Sequence, residues 1–213
     1  MSVVADWKSH ARTAHQQGNL GEAQKAYTNW LVEAPDDPEA LHGMGVCAIA
    51  EGRSQDAVGL FERAAGIAPN NPAVHRNLGV AYWTLSRKTE ALEELELSDR
   101  LEPHNPHTQF NMAVALMGLG ENTRARLAYE HCLELQPNHA LAHSNLIFLL
   151  DLEADDDRAL QERETYEQRH GVPGRARWKP HANPRTIDRR LRIGYVSGDY
   201  QFHSASFAFR PVL

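Results

Sequence analysis

A 34-residue period runs through the chain without a slip, and it leaves few folds open. Pro35, Pro69, Pro103 and Pro137 keep this spacing, as do Asp37-Pro38, Asn71-Pro72 and Asn105-Pro106. A small column reads Ala11, Gly45, Gly79, Ala113, and an alanine column reads Ala23, Ala57, Ala91, Ala125, Ala159. Tyr27, Phe61, Leu95 and Tyr129 form a bulky column, and Gly18, Gly52, Ser86 and Gly120 mark a turn. Fixed self-similarity of this length belongs to stacked supersecondary units, none of which buries its apolar face alone.

Each unit reads as two amphipathic helices, A and B, joined at the Gly/Ser turn. Asp or Asn followed by Pro is an N-cap and first-turn pair, so it opens each helix A. Small residues let the two backbones approach, and the bulky column fills the groove between them. With these marks in this order the chain resembles the tetratricopeptide repeat, best seen in Leu78-Gly79, Tyr82, Ala91, Leu95 and Pro103. The resemblance implies an all-α, right-handed superhelix with four repeats over residues 4–139. Trp30 departs from the small residues found later at Ala64, Ser98 and Cys132, which an end repeat facing solvent would tolerate. Cys47 and Cys132 fall on helices too far apart for a disulfide and read as core thiols.

Residues 140–170 read as a degraded fifth repeat that caps the stack, with Leu146, Leu150 and Ala159 kept and Arg163 where an aromatic stood. Residues 151–169 hold eight acids against three arginines, and 171–192 hold seven bases against Asp188. Both runs read as solvated surface. Pro173, Pro180 and Pro184 make 171–190 a basic linker. The period then changes. Leu191–Ser197 suits a buried parallel strand, Gly198-Asp199-Tyr200 breaks it, and Ser204–Leu213 begins a helix. Strand, loop and helix open a doubly wound α/β domain, so 191–213 reads as the start of a longer protein's second domain.

Repeats ending in SNLIFLL, a basic linker and LRIGYVSGDYQFHS together resemble the bacterial branch of the protein O-linked N-acetylglucosamine transferases, the SPINDLY-like family. That resemblance implies a GT-B catalytic domain of two Rossmann-like lobes, of which this chain carries only the incomplete start, and no catalysis by the fragment alone. The full protein would transfer N-acetylglucosamine from UDP-GlcNAc to Ser or Thr of acceptor polypeptides held in the superhelical groove. Ser197, Asp199, Tyr200 and His203 match the family's Ser-x-Asp-Phe/Tyr-x-x-His motif. His203 would take or orient the acceptor proton and Asp199 would fix the loop. Phe207 stands where some members carry a second histidine. The family's asparagine ladder maps onto Asn77, Asn111 and Asn145, while Ser9 and Gly43 depart from it.

Two other readings stay open: a free-standing adaptor that binds partner peptides, and a GDP-fucose protein O-fucosyltransferase of the same fold. A clamp for terminal carboxylates could begin at Lys8, but Gly43 and Ala73 break it. The histidine pairs His104/His107 and His139/His143 read as surface residues at repeat joints, so no metal is expected and no cofactor in this fragment. Tyr82, Trp83 and Phe110 read as packing residues. A net charge of −6 argues against nucleic acid. No apolar run is long enough to span a membrane, and MSVVADWKSHARTAHQQ has no secretory pattern, so the expected location is the cytoplasm.

Overall fold

The computed structural model describes residues 3–175. Among these residues every regular element is helical. The A helices are α1 (Val3–Gln16), α3 (Pro38–Ala50), α5 (Pro72–Thr84), α7 (Pro106–Gly118) and α9 (Ala140–Leu152). The B helices are α2 (Leu20–Glu33), α4 (Ser54–Ile67), α6 (Lys88–Leu101), α8 (Asn122–Leu135) and α10 (Asp156–Tyr166). From α3 on, A helices start at 38, 72, 106 and 140, and B helices at 20, 54, 88, 122 and 156, so the sequence period is the structural period. A π-helical turn, Glu167–Gly171, and a last short helix α11 (Val172–Arg175) follow α10.

The starts of the A helices have the expected chemistry. The Asp37 side chain accepts from the backbone N–H groups of Glu39 and Ala40, Asn71 from Ala73, and Asn105 from His107 and Thr108, each ahead of a first-turn proline. α9 lacks that proline, and the His139 ring caps it instead, Nδ1 accepting from Ala142 N–H at 3.1 Å. Each A-to-B turn contains a left-handed residue: Gly18, Gly52 and Gly120, but also Ser86 at φ 61° and Ala154 at φ 56°.

Each A helix packs on its own B helix and, from α3 on, on the B helix before it, as α5 does on α6 and α4. The helices pack where the small column permits. A Cβ on Gly79 would lie 2.9 Å from the Ala91 carbonyl and 2.7 Å from Leu95 Cγ, so α5 and α6 approach to backbone contact. Ala23, Ala57, Ala91, Ala125 and Ala159 are all fully buried. Cys47 and Cys132 are buried free thiols, and burial pushes Cys132 up to about 11. Ion pairs cross between repeats on the surface, among them Arg12–Glu39, Arg124–Glu96 and Arg158–Glu130.

Two expectations fail here. Trp30 does not face solvent: it is fully buried, stacked on Tyr27 at 6.2 Å and packed with Ala40 and Cys47 of the second repeat. A large ring fits because it fills the joint between the first two repeats. His143 is likewise fully buried, not a surface residue. Its Nε2 lies 3.0 Å from Glu162 and its ring meets Tyr166 and His170. His143 belongs to a polar column with His75 and Gln109 that ties helix A to a neighbouring B helix, His75 Nδ1 lying 2.6 Å from Glu94 and Gln109 donating to Asp99. The strand expected at Leu191–Ser197, and the whole of the α/β start at 191–213, lie outside the described residues.

Candidate binding groove

The A helices α3, α5 and α7 form a wall, because α3 also packs on α5 and α5 on α7, and α9 continues their 34-residue register, whereas the B helices have A helices as their main neighbours. In a helix, residues three and four apart share a face. One face of α5 therefore holds Ala73, Arg76, Asn77, Val80 and Trp83, and every A helix repeats it. Val46, Val80, Val114 and Phe148 make an apolar column along this wall, half-buried as far as Val114 and 58% exposed at Phe148. Leu141 and Leu152 extend the apolar face of α9 at 65% and 59% exposure. Val46, Ile49, Phe61, Asn77 and Val80 line a small cleft of about 70 Å³ between α3 and α5.

Asn77, Asn111 and Asn145 lie half-buried on this wall, one per repeat, as the sequence suggests. Their chemistry differs. Asn77 Nδ2 donates to His42 Nε2 at 2.8 Å. His42 can accept because burial, with a smaller contribution from the nearby Arg76 charge, pushes its pKa down to about 4, so the ring is neutral at pH 7. Asn145 Nδ2 donates to the buried Tyr129 hydroxyl at 2.9 Å, and burial pushes that phenol up to about 12. Asn111 makes no side-chain hydrogen bond among the described residues. The difference lies in the preceding bulky column: Tyr129 offers a hydroxyl to Asn145, whereas Leu95, the corresponding residue for Asn111, offers none.

Ser9 is exposed, and Gly43 is buried because the Tyr27 ring occupies the place a Cβ would take. Trp83 makes a similar demand on Gly118, whose carbonyl accepts from Lys88 Nζ at 2.8 Å. Asp199 and His203 lie outside the described residues. No group of three or more His, Cys, Asp or Glu side chains suited to a metal occurs among the described residues, and none of their helices is long and apolar enough to cross a membrane. Sequence reasoning missed Arg76 and the Val46–Phe148 column as wall residues, although the column's 34-residue spacing was there to find.

Stacked helix pairs that repeat every 34 residues define an α-helical repeat solenoid. Tetratricopeptide repeat profiles match residues 14–76, 48–107 and 106–139, and the chain belongs to that family. No curated protein matches its sequence. Among solved structures, a crystal structure of MamA superposes with a TM-score of 0.70 at 17% identity, covering 82% of this chain and 98% of that one. A MamA structure from Desulfovibrio magneticus RS-1 gives 0.71 at 20% identity over 81% and 98%. At such identity the likeness concerns the fold.

Proposed function

We propose that this chain is a protein-interaction scaffold whose A-helix wall holds an extended segment of a partner protein. The observation that carries the reading is the wall itself: an accessible apolar column beside carboxamides, of which Asn111 is wholly uncommitted. Carboxamides donate and accept, so they can pair with a peptide backbone whatever its sequence, while the apolar column takes side chains. The test is site-specific photocrosslinking in the native host. A benzophenone amino acid at Asn111, or at Ser144, exposed on α9 at the place Arg76 takes on α5, should give discrete adducts with a partner polypeptide, and one at Leu127, exposed on helix B α8, should not. Equal labelling from all three positions would refute a groove-bound partner.

A second, narrower reading is supported by the sequence of residues 191–213. The match of Ser197, Asp199, Tyr200 and His203 to the SPINDLY-like motif favours a substrate-recruiting arm of a protein O-glycosyltransferase. The acceptor polypeptide would lie along Asn77, Asn111 and Asn145, with His203 and Asp199 serving the reaction and UDP-GlcNAc as donor. Transfer of radiolabelled N-acetylglucosamine to protein by the native gene product, lost in His203→Ala, would support it. No transfer from UDP-GlcNAc but transfer from GDP-fucose would move the donor and keep the class.

A further inference from the structure

Two arginines with nearly equal side-chain exposure differ sharply in how their charge is met. Arg126, 20% exposed, has Glu130 at 2.9 Å and Glu153 at 3.0 Å. Arg76, 19% exposed, has only Glu102, at 3.9 Å, and makes no hydrogen bond among the described residues. A guanidinium withdrawn this far from water needs carboxylates or acceptors in hydrogen-bonding geometry. Its other charged-group neighbour, His42, is neutral. Burial correspondingly pushes the Arg76 pKa below its ordinary value. Arg76 also shares the α5 face with Val80 and Trp83, on the wall described above.

We infer that Arg76 gives the groove its charge preference: it pairs with a side-chain carboxylate of an otherwise apolar partner segment whose hydrophobic side chains lie along Val80, Val114 and Phe148. The inference rests on the groove reading and adds the partner's chemistry. Guanidinium and carboxylate match as a two-point donor and acceptor pair, and the partial burial of Arg76 strengthens that pair relative to a surface one. The spacing of the wall constrains the segment too. Packed helices lie roughly 8–10 Å apart, and a polyproline II segment presents the same face every three residues, about 9.3 Å. One apolar side chain in three therefore meets one repeat.

The test uses the full chain and fluorescein-labelled ten-residue peptides with leucine at every third position, prolines between, and glutamate at one end or the other. Both ends are blocked, so that no terminal carboxylate contributes, and matched peptides carry glutamine instead. In fluorescence anisotropy, the glutamate peptide of one orientation should bind at least fivefold more tightly than its glutamine counterpart. Arg76→Gln should abolish that preference, so that glutamate and glutamine peptides bind alike, Arg76→Lys should retain part of it, and Phe148→Ser should weaken both. Equal binding of glutamate and glutamine peptides, or a preference that survives in Arg76→Gln, would overturn the assignment while leaving the groove in place. Binding of none of the peptides would also overturn it, and crosslinking from Asn111 then decides the groove reading separately.

Discussion

Ser86 and Ala154 occupy left-handed turn positions that glycine fills at residues 18, 52 and 120. An L-residue in this conformation costs roughly 1–2 kcal/mol. Glycine removes that cost but adds unfolded-chain entropy of roughly 0.5–1 kcal/mol. Both residues are exposed, and the Ser86 hydroxyl makes no hydrogen bond among the described residues. Ser86→Gly and Ala154→Gly should therefore each stabilise the protein by about 0.5–1 kcal/mol. The sites lie two repeats apart, so the effects should add to about 1–2 kcal/mol. For a unit of this size that raises the thermal midpoint by about 3–6 °C. The reverse change supplies the control: a Cβ on Gly120 meets nothing within 4 Å, so Gly120→Ala tests the backbone alone and should cost about 1 kcal/mol. Circular dichroism melts and urea titrations read all three. A lower midpoint for Ser86→Gly, or no loss for Gly120→Ala, would refute the idea that backbone conformation governs these turns.

The two asparagines on the wall should separate. Asn145→Ala strands the buried Tyr129 hydroxyl and should cost about 1–2 kcal/mol in a urea titration, whereas Asn111→Ala should stay within about 0.5 kcal/mol. Ala91→Leu would overpack the α5–α6 contact, where Ala91 is fully buried, and should cost on the order of 1–3 kcal/mol by the same titration. His42 makes stability pH-dependent. Its folded pKa of about 4 lies below the unfolded value of 6.5, so the native state binds fewer protons. Its contribution is complete above pH 6.5 and is lost as pH falls towards 4, by up to about 3 kcal/mol. Between pH 6.5 and 4 the native protein should accordingly lose stability more steeply than His42→Gln, and identical slopes over that range would contradict this.

The helix boundaries were legible because capping and turn chemistry is local. Asp37-Pro38, Asn71-Pro72 and Asn105-Pro106 need only their own backbone to open a helix, and Gly18, Gly52 and Gly120 only their own φ. What the sequence concealed depends on neighbours from another repeat. Trp30 looks anomalous until the second repeat closes over it, and His143 looks like a loop histidine until Glu162 meets it from α10. The asparagine column was visible by spacing alone. Its division into a committed Asn145 and an uncommitted Asn111 was not, because that depends on which bulky residue carries a hydroxyl. Arg76 escaped notice for a similar reason: a cation is unremarkable in sequence, and only its missing carboxylates set it apart.

The ring of Tyr27 seated where Gly43 lacks a Cβ also fixes a length. In the asparagine column carboxamides stand at Asn77, Asn111 and Asn145, whereas Gly43, over the Tyr27 ring, has none, so a segment held as proposed would meet them over three repeats. At roughly 8–10 Å per packed helix and about 3.1 Å per residue for a polyproline II segment, three repeats correspond to about nine partner residues. A groove of the proposed kind would then act as a ruler, measuring the register of a bound segment as well as its chemistry.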